Sequence, residues 1–256
     1  MDQKKSSRIK ILYEDKNILA IEKPSGISVQ NDEKTNEKTI LDLLLKKYSG
    51  IVLAHRLDKE TSGVLLLAKN QKAYEFLKNQ FKNRTIKKTY IAIVNGWPKN
   101  DHGIINKPIG RSPADFRKRL AGRGARGELR EAITEYKVLK RILLPLNNPP
   151  IKLREVGRGS EIKFTSPRPS PFKGEGEKFT YLEVKPKTGR THQIRVHLKF
   201  LNYPIACDSL YNPKGFCPKG LNRVALHAKS IEFKNLNGKV LKIESPLPKD
   251  FKKYLK

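Results

Sequence analysis

The chain has 256 residues, with 54 Lys plus Arg against 25 Asp plus Glu, a formal net charge of +29. Its 29.3 kDa is enough for a sizeable core, and its charge excludes strongly cationic ligands while favouring polyanions, nucleic acid ahead of anionic membrane. No apolar run approaches the ~20 residues of a spanning helix, and no apolar stretch of signal-peptide type precedes Ile9, so no membrane role and a cytoplasmic location are expected.

Residues 1–10 are polar and basic and are expected to form a loosely held tail. Ile11 to Tyr13 and Ile18 to Glu22 read as two short strands joined by a polar turn, and Lys23-Pro24-Ser25-Gly26 then breaks the chain. Thr39 can cap a helix carrying Ile40, Leu43, Leu44 and Tyr48 and ending at Gly50. Val64 to Ala68 is a continuous apolar run, the pattern of a buried strand. A helix over 70–82 follows, with Ala73, Phe76, Leu77 and Phe81 on one face. The β-branched alternation of Ile86 to Val94 marks a strand covered on both sides.

Residues 107–130 carry a charge of +6, with Gly122, Gly124 and Gly127 expected to interrupt regular structure. Ala132 to Arg141 and Phe179 to Val184 return to strand patterning, and an amphipathic helix is expected over 191–201. Leu226 to Phe233 and Val240 to Ile243 read as late strands, followed by a short helix after Asp250. Between them, residues 145–178 hold 6 of the 16 prolines and read as a disordered insertion between two strands still able to pair. Cys207 and Cys217 are too few for a disulfide framework and form no CxxC, so reduced thiols are expected.

No phosphate loop, dinucleotide turn or HExxH is present, so nothing indicates a nucleotide cofactor or metal. Two segments carry candidate chemistry. In His55-Arg56-Leu57-Asp58-Lys59-Glu60-Thr61-Ser62-Gly63, an Asp lies on a turn abutting the buried strand. Spacing alone favours the plainer reading, a turn in which Asp58 accepts backbone N–H bonds. In Thr188-Gly189-Arg190-Thr191-His192-Gln193-Ile194-Arg195-Val196-His197, Arg195 lies between two apolar residues. A buried Arg needs a carboxylate, and Asp58 is a natural candidate.

Arg56-Leu57-Asp58 through Gly63, with Ala68-Lys69 after it, resembles the HRLDxxTSG signature of the RluA-type pseudouridine synthases. Lys88-Thr89-Tyr90-Ile91-Ala92 resembles that family's K-x-Y-x-A motif, and Thr188 to His197 its TGRTHQIRVH segment. Tyr203 to Asp208 and Leu226-His227-Ala228 are similar to two further elements. The likeness runs in order from about Ile11 to Lys249. Gln30-Asn31 after the K-P-x-G loop, Cys207 in place of Gly, and the 145–178 insertion depart from the pattern.

The resemblance implies an α+β pseudouridine synthase fold: a bent, mainly antiparallel mixed sheet with flanking helices and a central cleft, forming a catalytic domain over 11–256. It implies isomerisation of a specific uridine in ribosomal RNA (23S-type) or transfer RNA, without cofactor or metal and with no S4 domain, by a monomer needing no protein partner. Asp58 would be the essential carboxylate, as nucleophile or base at the ribose. Arg195 would pair with it, and Tyr90 would stack on the flipped uracil and assist loss of the C5 proton. Arg56 would fill the space that the base vacates. Ile194 and Leu226 would wall the pocket, although ordinary core accounts for them equally, and His55 and Arg190 flank the substrate. Lys107, Arg111, Arg117, Lys118, Arg119 and Arg123 are candidates for the RNA backbone. Asp58, Tyr90 and Arg195 together favour an enzyme over an idle RNA-binding protein on the same scaffold.

Overall fold

The computed structural model describes residues 9–31, 37–144 and 176–254. In chain order these form β1 (Lys10–Glu14), β2 (Ile18–Lys23), α1 (Ile40–Leu45), β3 (Val52–Leu53), β4 (Ser62–Ala68), α2 (Gln71–Lys82), β5 (Lys87–Asn95), β6 (His102–Asn106) and β7 (Ile109–Arg111). They continue with β8 (Arg119–Ala121), β9 (Arg126–Arg130), β10 (Ile133–Leu144), β11 (Glu177–Pro186), α3 (Gln193–Phe200), β12 (Leu226–Lys234), β13 (Val240–Glu244) and α4 (Lys249–Lys252).

Ten strands make one sheet, with the path β1-β2-β4-β12-β5-β11-β10-β6; β3 joins β4, and β13 joins β12. Every pairing in it is antiparallel except β4 with β12. The fold is therefore the expected α+β class with a mainly antiparallel sheet. β4 lies near the middle, and all seven of its residues are buried. Its alternate side chains serve different layers. Val64, Leu66 and Ala68 pack with Ala73 and Leu77 of α2, while Leu65 and Leu67 pack with Ile40 and Leu44 of α1. A strand covered on both faces needs no polar alternation, which is why it reads as one apolar run.

Both early helices start on side-chain caps. Thr39 and Asp42 exchange bonds in a capping box, and Asn70 Oδ1 accepts the Ala73 N–H. α1 ends at Leu45, short of Gly50. On α2, Tyr74 rather than Phe76 joins Ala73, Leu77 and Phe81 in the core cluster.

The expectation that glycines would leave 107–130 irregular is corrected. β7, β8 and β9 form a separate three-stranded sheet, and Gly122, Gly124 and Gly127 take the positive φ values its turns require. α3 bridges the two sheets, setting Ile194 and Leu198 into the main core and Val196 against Ile109, Ala121 and Tyr211. The insertion and tail expectations fall largely on residues outside the described ones. At the insertion's ends, however, Leu144 pairs with Glu177 in the β10–β11 ladder.

The reduced-thiol expectation is also corrected: Cys207 and Cys217 form a disulfide, their Cα atoms 4.8 Å apart. Spacing along the chain did not show that the segment doubles back. It does so because Cys207 adopts a left-handed backbone and Asn212 N–H bonds to Asp208 O at 2.7 Å.

Candidate active site

Asp58 sits on the turn that enters β4. The turn closes through Thr61 N–H to Asp58 O at 3.1 Å, and the Lys23-Pro24-Ser25-Gly26 loop holds it from beneath. Lys23, fully buried at the end of β2, donates to Pro24 O, Lys59 O and Thr61 O at 2.8, 2.9 and 2.8 Å. Three carbonyls match the three N–H bonds of an ammonium, while burial draws its pKa down to about 7. Ser25 Oγ donates to Glu60 O at 2.6 Å, and Gly26 N–H to Lys59 O at 2.9 Å. The Asp58 side chain stays 27% exposed above this bed.

Gly63 is required by close approach. Its φ is +114°, and a Cβ there would collide with the Ala228 carbonyl. That approach lies in the parallel β4–β12 register, where Gly63 is opposite Ala228, and Ala228 is in turn opposite Tyr90 of β5. Tyr90 is thus carried on a rigid strand two strands from the Asp58 turn. Burial first, and the Asp58 charge second, raise its phenol well above the ordinary value, so the ring is neutral.

Arg195 projects from α3 toward the turn. Its Nη1 lies 3.4 Å from Asp58 Oδ2, the pairing the sequence suggested. Its stronger partner is another residue: Nε and Nη2 bond Asp208 Oδ2 and Oδ1 at 2.7 and 2.8 Å, with Asp208 wholly buried. The guanidinium lies over the Tyr211 ring, 5.0 Å from its centroid. Tyr211 OH is 2.9 Å from His192 Nδ1, and His192 Nε2 is 4.0 Å from Asp58 Oδ1. His192 takes φ 56°, and burial lowers its pKa.

The other expected site residues separate into two groups. Arg56 is exposed beside Asp58. Arg190 is tied down, donating through Nε to Glu131 O and through its backbone N–H to Gln193 Oε1. His55 turns toward the core: its Nε2 accepts Leu66 N–H at 3.1 Å, and its ring lies 5.1 Å from that of Phe81. Ile194 and Leu226 are buried in the main core cluster. Lys107 lies over the Phe200 ring, and Arg111 and Arg123 are exposed on or beside the small sheet. Arg117 is held by Asp115 at 3.0 and 2.9 Å, with Lys118 Nζ 3.8 Å from the same carboxylate, and Arg119 bonds the Phe116 and Lys118 carbonyls.

Sequence reasoning passed over Asp208, Lys23 and Arg223. The signal for Asp208 was present, since a buried Arg accepts more than one carboxylate and Asp208 follows the apolar pair Ile205-Ala206. Arg223 donates to Ser62 Oγ at 2.8 Å and to Asp250 at 2.7 and 3.2 Å, joining α4 to the start of β4. Ser62 Oγ is also hydrogen-bonded to His227 Nδ1, 2.9 Å away. The His227 ring is kept neutral by burial, its pKa near 4.

The family model for RNA pseudouridylate synthase matches residues 17–200. The uncharacterized RNA pseudouridine synthase YlyB of Bacillus subtilis is 32% identical over 250 residues, covering 94% of this chain and 69% of its own length. A ribosomal large subunit pseudouridine synthase C of Pasteurella multocida is 31% identical over 252 residues, covering 96% of this chain and 66% of its own. The chain thus spans about two thirds of the length of these relatives. Among solved structures, human RNA Pseudouridylate Synthase Domain Containing 4 superposes with a TM-score of 0.69 at 26% identity, over 96% of this chain and 91% of that one. Domain Containing 1 superposes at 0.71 and 22%, over 97% and 87%, a likeness of fold. Sequence, sheet topology and the order of the motifs agree, and the chain belongs to the RNA pseudouridylate synthases, isomerases of the RluA type.

Proposed function

We propose that this enzyme converts one uridine of large-subunit ribosomal RNA to pseudouridine, with Asp58 as its essential carboxylate. The observation that carries the reading is the meeting of Asp58, Arg195 and Tyr90 at one place from three remote segments, with Asp58 alone of the two carboxylates on Arg195 left partly exposed. The choice of RNA rests on relatives named ribosomal large subunit pseudouridine synthase C, at 31% identity in Pasteurella multocida and 35% in Buchnera aphidicola.

The target base must leave its stack to reach a carboxylate set on a turn, at a cost of a few kcal/mol. Arg56, exposed two residues before Asp58, is suited to occupy the vacated position, because a guanidinium plane stacks on bases and bonds phosphate. Asp58 then acts at the ribose while the N1–C1′ bond breaks; the C5–C1′ bond forms, C5 loses its proton and N1 gains one. Tyr90 supports the flipped uracil by stacking. Its raised pKa favours that role and hydrogen-bond donation over service as a free base. The catalytic domain over 11–256 acts as a cytoplasmic monomer on structured RNA, gripping phosphates through the basic small sheet.

The test is Asp58→Asn, supplied to RNA from a strain lacking the protein. Wild-type enzyme restores one pseudouridine to large-subunit RNA and the variant restores none while still binding. Full activity of the variant overturns the role of Asp58, and a missing pseudouridine found only in transfer RNA overturns the choice of RNA.

A further inference from the structure

We infer that His192 reads the 2′-hydroxyl of the target uridine: its ring and Asp58 together hold that one oxygen, beside the carbon at which the bond to the base is exchanged. The inference rests on the proposed role of Asp58 at the ribose.

His192 is placed for something other than the helix it begins. At the N-cap of α3 its side chain makes no capping bond, and it takes φ 56°, a left-handed conformation that a histidine adopts at a cost. Backbone held in such a region is one way a site aims a side chain. The ring is fixed from its far side. Its Nδ1 lies 2.9 Å from Tyr211 OH, which also accepts Arg119 N–H at 2.9 Å, and the two rings meet edge to face. Tyr211 is itself buried, so this support is rigid.

The other ring nitrogen points at the site. Nε2 faces Asp58 Oδ1 across 4.0 Å, too far for a hydrogen bond, and the two side chains are 19% and 27% exposed. Arg195 approaches the other carboxylate oxygen, Oδ2. One hydroxyl oxygen about 2.8 Å from each of Nε2 and Oδ1 would close the gap. Burial keeps the ring neutral. With Tyr211 O–H donating to Nδ1, the ring proton sits on Nε2, so the imidazole offers an N–H while the carboxylate offers lone pairs. The bridging group must therefore accept on one side and donate on the other. Uracil carbonyl and phosphate oxygens only accept, and would leave Asp58 facing another acceptor. Within an RNA chain O3′ and O5′ are esterified, so the 2′-hydroxyl is the one free hydroxyl of the nucleotide. It is also on the carbon next to C1′, where Asp58 acts. Each carboxylate oxygen has two lone-pair sites, so Oδ1 can accept this bond and still face the ribose. The same contact would distinguish RNA from DNA at the reacting nucleotide.

The experiment uses synthetic RNA spanning the uridine left unconverted in a strain lacking the protein, with either uridine or 2′-deoxyuridine at that one position. Single-turnover rates and RNA affinity are measured for wild type and for His192→Asn. Asparagine tolerates the left-handed backbone but is too short to reach from Tyr211 to Asp58. Wild type should convert the deoxy substrate about 10²-fold more slowly, because its polar groups are left unpaired, while affinity stays within about threefold, since no phosphate is lost. His192→Asn should be slowed about 10²-fold on uridine, yet lose no more than about threefold further on the deoxy substrate, as two changes at one contact do not add. A merely structural role would slow both substrates alike and preserve their ratio. Equal wild-type rates on the two substrates, or full discrimination by His192→Asn, overturns the inference. Should His192→Asn fail to fold, Tyr211→Phe keeps the ring beneath Arg195 and removes only the hydroxyl that orients His192. Discrimination falling to about tenfold then supports the inference, and discrimination unchanged from wild type overturns it. Asp58→Asn on the uridine substrate separates the two readings. Full activity overturns the proposed site, whereas an inactive Asp58→Asn beside unchanged discrimination by His192→Asn overturns the role of His192 alone.

Discussion

His55, three residues before the carboxylate proposed as reactive, shows how a neighbour of the site can serve the fold. Its Nε2 accepts the Leu66 N–H, so the ring must be neutral with its proton on Nδ1. Burial against β4 and Phe81, helped by the Lys88 charge, lowers its pKa to about 3. An unfolded histidine titrates near 6.5. Between these values the unfolded chain binds a proton that the folded chain does not, so stability falls as pH drops below about 6.5 and is regained above it. From pH 7 to pH 5 this one site removes about 2 kcal/mol. His55→Gln keeps an acceptor for Leu66 and abolishes the titration. Urea unfolding at the two pH values should show a smaller loss for the variant, and an identical loss in both proteins would show that the ring is solvated. His227, His192 and His197, also lowered by burial, add to the acid sensitivity of both.

At the scale of elements, the small sheet β7–β9 turns a stretch of charge into a graded surface. Arg117 is neutralised by Asp115 and Arg130 by Glu128, whereas Arg111, Arg123 and Arg126 have no carboxylate partner among the described residues. A cation already paired releases few counterions when RNA arrives. Replacing Arg111, Arg123 or Arg126 by Ala should therefore flatten the dependence of log affinity on log salt by about 0.7 for each phosphate no longer neutralised, and Arg117→Ala by much less. Equal slopes for all four would show that the sheet faces away from the RNA. This element was also the least legible one in the sequence. β2, β4, β5 and α2 each bury a face and so carry their own period. β9 is exposed at all five residues and β3 is two residues long, so backbone pairing alone defines them. The site divides the same way. Asp58, Tyr90 and Arg195 stand in motifs, but Arg195's preference for Asp208 depends on a loop whose path, fixed by Cys207 and Asp208, has no hydrophobic pattern.

For the whole molecule, the main sheet is continuous across the point where the chain departs for residues 145–175. β10 and β11 pair from Thr134 opposite Pro186 to Leu144 opposite Glu177, with one bulge between Val138 and Lys140. Phe179, Tyr181, Leu182 and Val184 bury their side chains in the main core, so the register is set by burial along the ladder and not by what connects its outer ends. Loop-closure entropy rises only slowly with length, by about 0.6 kcal/mol per doubling, so a short connection should suit these strands at least as well. Replacing residues 146–175 with a two-residue Asn-Gly turn should leave the melting temperature equal or higher, because the strands already meet at hairpin distance. Tyr90 of the site lies opposite Val184, toward the other end of β11 from Glu177, and pseudouridine formation should fall less than about twofold. Loss of RNA binding with retained melting would assign the excised segment a direct part in holding RNA. Loss of folding would mean that the β10–β11 register depends on it.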